Sequence, residues 1–83
     1  MYLSDAVRER VKYFLDLKKM KPWDLHLATG VPTSTISSFL SGKTEIIKLP
    51  TLLHFCEGYN ITLEEFFRDG IFAEVEADDD KKE

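Results

Sequence analysis

The segment Pro22–Gly42, PWDLHLATGVPTSTISSFLSG, constrains this chain more than any other. It has room for two short helices and a tight turn between them. Apolar residues fall at Trp23, Leu25 and Leu27, then at Val31, Ile36, Phe39 and Leu40. Gly30 separates the groups, where a helix end needs a left-handed residue and only glycine adopts that conformation without strain. Pro22 and Pro32 stand where helices can begin, because a fixed φ and a missing N–H cost nothing there. Two helices held at a large angle by such a turn can offer the second one to a groove in DNA.

The second helix has an unusual outer face. Ile36, Phe39 and Leu40 follow the spacing of a buried stripe, whereas Thr33, Ser34, Thr35, Ser37 and Ser38 carry short hydroxyls. An ordinary solvated helix more often carries Glu and Lys, which form helix better. Short hydroxyl side chains allow close approach of the backbone to another surface and can donate or accept hydrogen bonds. The competing reading is a Ser/Thr-rich face turned only to water.

In order and spacing, GVPTSTISSFLSGKT resembles the turn, recognition helix and following loop of the lambda-repressor and Cro-like helix-turn-helix family, of xenobiotic-response-element type. LPTLLHFCEGYNITLEEFF resembles that family's fourth and fifth helices, so the likeness covers about residues 4 to 68. It implies an all-α fold: a compact five-helix lambda-repressor-like domain over residues 1–70, with the helix-turn-helix at helices 2 and 3. Residues 71–83 then form a short apolar patch and an acidic tail.

The resemblance also implies roles. The helix spanning about 32–41 enters the major groove of double-stranded DNA. Thr33, Ser34, Ser37 and Ser38 align with base-reading positions. Lys43, with Thr44 beside it, matches a Gly-Lys pair that meets the phosphate backbone, and Thr35 joins the phosphate contacts. Pro22 departs from the pattern: it stands where the family often places a Gln that touches phosphate, and it cannot donate. That contact then passes to Lys21 or Trp23. Trp23 itself can be core or lie along a DNA backbone, and partial burial is the expectation for a lone Trp in a small domain. His26 is a second departure, since the family usually has a small residue there for close helix crossing; it either rotates outward or widens the crossing.

Charge bears on this reading. The net charge is −4, but residues 74–83 hold six acids against two lysines and account for all of it. Residues 18–48 carry Lys18, Lys19, Lys21, Lys43 and Lys48 against Asp24 and Glu45, a local excess of +3 suited to phosphate. The tail is expected to be disordered from Asp78 onward.

The other segments supply the scaffold. Ser4 can cap a first helix, with Asp5 at its positive end and Leu3, Val7, Val11, Phe14 and Leu15 as its inner stripe. Arg8, Glu9, Lys12 and Asp16 are expected outside, and the helix should end near Lys19. A fourth helix from about Leu49 to Tyr59 presents Leu49, Leu52, Leu53, Cys56 and Tyr59 inward, with Phe55 at the flank. Asn60 suits a left-handed end, and Thr62 to Glu65 is a capping-box signature. Leu63, Phe66 and Phe67 anchor the fifth helix. Phe66 and Phe67, with Ile71 and Phe72, could join two copies into a homodimer or could pack inward. Ile46 and Ile47 could tuck under the fold or meet a partner.

Other functional classes find little support. No carboxylate pair, Ser/His/Asp set, phosphate-cradling glycine loop or zinc spacing is present, so neither an enzyme nor a metal or cofactor site is expected. No run of about 18 apolar residues suggests a membrane span. The first residues lack a signal-peptide layout, and Cys56 alone cannot form an internal disulfide; a cytoplasmic setting follows. The rival function is an antitoxin-like or phage regulatory module that uses the same scaffold to grip a protein.

Overall fold

The computed structural model describes residues 1–43 and 47–78. Five α-helices follow one another: α1 (Leu3–Leu17), α2 (Pro22–Thr29), α3 (Thr33–Leu40), α4 (Leu49–Tyr59) and α5 (Leu63–Phe67). A 3₁₀ turn at Gly70–Phe72 comes after them. The helices enclose one core built on Val11, Phe14, Leu25, Ile36, Phe39, Leu52, Phe55, Cys56, Tyr59 and Phe66. Phe14 lies at its centre, stacked on Tyr59 at 5.6 Å and on Phe66 at 6.0 Å.

The helix ends follow local chemistry. α2 and α4 finish on left-handed residues, Gly30 at φ 78° and Asn60 at φ 61°. After Asn60 the Ile61 N–H returns to the Cys56 carbonyl at 2.9 Å, satisfying an acceptor the helix leaves open. α5 starts on a reciprocal cap: the Glu65 N–H donates to Thr62 Oγ1, and the Thr62 N–H donates to Glu65 Oε1. Pro22 opens α2 at its first residue, and Pro32 stands one place before α3.

Several expectations change. α1 begins at Leu3 with Tyr2 in the cap position, so Ser4 is inside the helix and does not cap it. The Ser4 N–H and hydroxyl both donate to the Asp78 carboxylate instead. Leu3 is exposed rather than part of the inner stripe. α1 also stops at Leu17, two residues early, because Lys19 turns left-handed at φ 55° and lets the Met20 N–H reach the Leu15 carbonyl. On α4, Leu49 and Leu53 face outward, while Phe55 is fully buried. The helix is rotated toward Phe55 because α4 packs on α2 and α5 as well as on α1.

Two arginines of α1 point inward. Arg8, expected outside, has a side chain only 12% exposed. Arg10 is buried, with its guanidinium over the Phe14 ring at 4.6 Å.

The residues after α5 fold back on α1. Asp69 accepts the Ile71 N–H to start the 3₁₀ turn, and Phe72 packs edge-on against Phe67 at 4.9 Å. Tyr2 and Glu76 form a parallel bridge through Leu3 N–H to Glu76 O and Glu76 N–H to Met1 O. Asp78, from which disorder is expected, is engaged with Ser4; residues 79–83 lie outside the described residues.

Candidate nucleic-acid interface

The turn between α2 and α3 is held by side chains as much as by Gly30. Thr29 Oγ1 donates to the Leu25 carbonyl at 2.7 Å and accepts the Val31 N–H at 3.1 Å. His26 Nδ1 donates to the Val31 carbonyl at 2.7 Å, and its ring lies 5.0 Å from that of Trp23. The half-buried His26 ring therefore does not swing free but ties α2 to the first residue of the turn after Gly30. Val31 is buried and anchors the first residue after the glycine.

α3 is amphipathic in a strict sense. Ile36 and Phe39 are buried at 0% and 1% exposure. Ser34, Thr35 and Ser37 are exposed, and Thr33 and Ser38 are half-buried at the edges. Helix geometry continues one residue past Leu40: Ser41 has αR backbone angles, and its N–H donates to the Ser37 carbonyl at 2.9 Å. Residues four and seven apart share a face, so Ser34, Ser37, Ser38 and Ser41 make one serine ridge opposite Ile36 and Phe39. Ser41 Oγ donates to the Ser38 carbonyl at 3.2 Å, which leaves its oxygen able to accept.

The proposed phosphate contacts are accessible where they are described. Lys21 and Lys43 are exposed. Lys21 stands in the cap position of α2, its N–H donating to Asp24 Oδ2 at 2.8 Å, so its ammonium is carried at the positive end of that helix. Trp23 is 59% exposed, against the expectation of partial burial as a core aromatic. It leans on His26, leaving most of the indole to solvent. Leu27 also faces outward. Gly42 follows α3 at φ 84°, a conformation glycine adopts freely, and turns the chain toward Lys43. Thr44, Glu45 and Ile46 lie outside the described residues; Ile47 packs partly against the core.

Residues 10–69 match the Cro/C1-type helix-turn-helix DNA-binding domain. The chain belongs to that family.

The matched span takes in α2, the Gly30 turn and α3 whole. It begins at Arg10 and ends at Asp69, which meet in an ion pair 3.3 Å long and close the domain on itself. No curated protein and no solved structure matches the chain significantly. Among the described residues no helix is long and apolar enough to cross a membrane, and no cluster of His, Cys, Asp and Glu could hold a metal ion.

Sequence reasoning missed three residues that shape this surface. Ser41 is legible only by its spacing, four residues after Ser37 and just before the Gly42 stop. Gly58 is not: an added Cβ would come within 2.7 Å of Thr29 Cγ2, so α4 can lie close against the end of α2 only because Gly58 has no side chain. Arg8 is not either, because its partner is a backbone carbonyl on another helix.

Proposed function

We propose that this Cro/C1-type protein is a sequence-specific transcriptional regulator, repressor-like, that inserts α3 into the major groove and works in the cytoplasm as a dimer. The observation that carries this reading is the exposed serine ridge backed by fully buried Ile36 and Phe39. A face free of long side chains can enter a groove, and the two buried residues hold it rigidly to the core.

In this reading Thr33, Ser34, Ser37 and Ser38 face base edges. A hydroxyl can meet either a donor or an acceptor edge, and the threonine methyl can meet a thymine methyl. None of them offers the two-point grip of Arg on guanine or Gln on adenine, so one copy discriminates modestly. Lys21, Trp23, Thr35, Lys43 and Thr44 track the phosphates and set register without reading sequence. A dimer compensates for the weak reading, with half-sites about 34 Å apart, one duplex turn. Phe67 and Leu63, exposed on one face of α5, together with half-buried Ile71 and Phe72, support such a contact. Phe66 does not take part, since it is wholly buried against Phe14.

Selection of bound sequences from a random duplex pool tests the reading, followed by binding across a salt series. A recovered palindrome and a steep loss of affinity with salt are the expected results. Ser34→Ala and Ser37→Ala should relax base preference, while Lys43→Ala lowers affinity for all sequences alike and reduces the salt slope by about one. No binding even at low salt would instead favour a module that grips a protein.

A further inference from the structure

The C-terminal end of α3 has a chemical problem that its own sequence leaves unsolved. A helix leaves its last carbonyls without partners and carries a partial negative charge of about half an electron there. No Lys, Arg or His stands in the last turn of α3 to offset it. The same end leads through Ser41 and Gly42 to Lys43, where the proposed interface meets phosphate. An uncompensated negative end would repel the backbone it must approach.

The compensating charge comes from α1. Arg8 Nε donates to the Phe39 carbonyl at 2.7 Å, an oxygen that also accepts the Gly42 N–H at 3.2 Å. The Arg8 guanidinium lies 5.2 Å from the centre of the Phe39 ring, so one cation holds both the backbone and the side chain of that residue. Its Nη1 pairs with Asp5, one turn back on α1, at 2.8 Å, which helps to fix its aim. The arginine side chain is 12% exposed and turned into the fold, a poor posture for reaching a phosphate itself.

We propose that Arg8 is a positioning residue for DNA recognition: by pinning the Phe39 carbonyl it sets where the serine ridge and the Ser41–Gly42–Lys43 turn meet the duplex, and it masks the negative end of α3. This inference rests on the reading that α3 enters the groove. Arg8 touches no base in this scheme, yet it shapes base preference at the end of the half-site that Ser38 and Ser41 face. Asp5 contributes one step further back, by holding the guanidinium.

The test uses the full chain and the sequence recovered from the random pool. Arg8→Met and Arg8→Lys are compared with the parent well below their unfolding midpoints, with folding checked by circular dichroism. Arg8→Met should flatten base preference about fivefold to tenfold at one end of each half-site, with the salt slope unchanged. Arg8→Lys keeps the charge but not the aimed Nε–H, and should recover part of that preference. Asp5→Asn loosens the guanidinium while leaving the Phe39 contact possible; it should shift preference the same way by less, and it decides the matter if Arg8→Met fails to fold. A uniform loss of affinity with a salt slope reduced by about one would make Arg8 a phosphate contact and overturn the proposal. A lowered unfolding midpoint with base preference intact would make it merely structural and overturn it equally. Ser34→Ala separates the two levels: if it too leaves preference untouched, the groove reading fails and Arg8 falls with it, whereas a response of Ser34→Ala alone defeats only the role of Arg8.

Discussion

Arg10 Nε donates to the carbonyl of Phe66 at 2.7 Å, joining the second turn of α1 to the end of α5. The same guanidinium reaches the Glu65 carbonyl at 3.0 Å, the Arg68 carbonyl at 3.3 Å and the Asp69 carboxylate at 3.3 Å. A five-residue helix cannot hold itself together in water. Here a cation from another helix satisfies the carbonyls it leaves open, while the rings of Tyr13 and Phe14 flank that cation.

Arg10→Met should therefore destabilise the domain by about 3 kcal/mol, because buried acceptors lose a charged donor and the methionine repairs none of them. Urea unfolding gives the number, and amide exchange should show α5 opening first. A loss below about 1 kcal/mol would mean that water replaces the guanidinium at little cost.

Gly58 predicts a paired result. Glycine within a helix ordinarily costs about 1 kcal/mol relative to alanine, so propensity alone favours Gly58→Ala. The added methyl would meet Thr29 Cγ2 at 2.7 Å and Leu25 Cδ1 at 3.3 Å. Thr29 cannot easily turn aside, since its Oγ1 is bonded to both the Leu25 carbonyl and the Val31 N–H. Gly58→Ala should lower the unfolding midpoint. Thr29→Ser, which keeps the hydroxyl and removes the methyl, should rescue it in the double variant. Calorimetry of the four proteins of the cycle would show the coupling, and simple additivity would refute it.

Alkaline pH should unfold the protein through two buried groups. Burial pushes the Cys56 thiol from 9.0 up to about 11. Burial also raises the Tyr59 phenol well above its usual 10.0, with Cys56 beside it adding to the effect; its O–H donates to the Val11 carbonyl at 3.1 Å. In the unfolded chain both groups ionise at ordinary values, so above about pH 9 the unfolded state binds fewer protons than the native one. Stability is thus fully present below about pH 9 and falls as pH rises through the folded values. Urea midpoints measured from about pH 7 to pH 11 should be flat and then decline. Cys56→Ala should delay the decline, and a profile indifferent to that change would assign it to other groups.

The acidic end makes a last prediction. Competition between tail carboxylates and phosphate for the lysines would weaken binding to random duplex. Removing residues 79–83 should raise that affinity at low salt. Removing residues 74–83 also deletes Glu76 and Asp78, which hold Leu3 and Ser4, and should lower stability as well. Equal behaviour of the two truncations would contradict the division.

The local features of this protein were legible in its sequence because their causes are local. Gly30, Asn60 and Gly42 end helices where a left-handed residue is required, and Thr62 with Glu65 starts α5, through forces that act within a few residues. The alternation of serines with Ile36 and Phe39 likewise dictates which side of α3 faces water. Tertiary structure alone decided the rest. Arg8 reads as a surface charge on α1, and no local pattern marks Arg10 as buried, until the carbonyls of Phe39 and Phe66 come to meet them. Ser4 looks like a cap until Asp78 arrives from the far end of the chain. Phe55 displaces Leu53 from the core because the helices packed around α4, not its own periodicity, set its rotation. Backbone carbonyls carry no sequence signature, so no pattern of residue types announces which distant donor will find them.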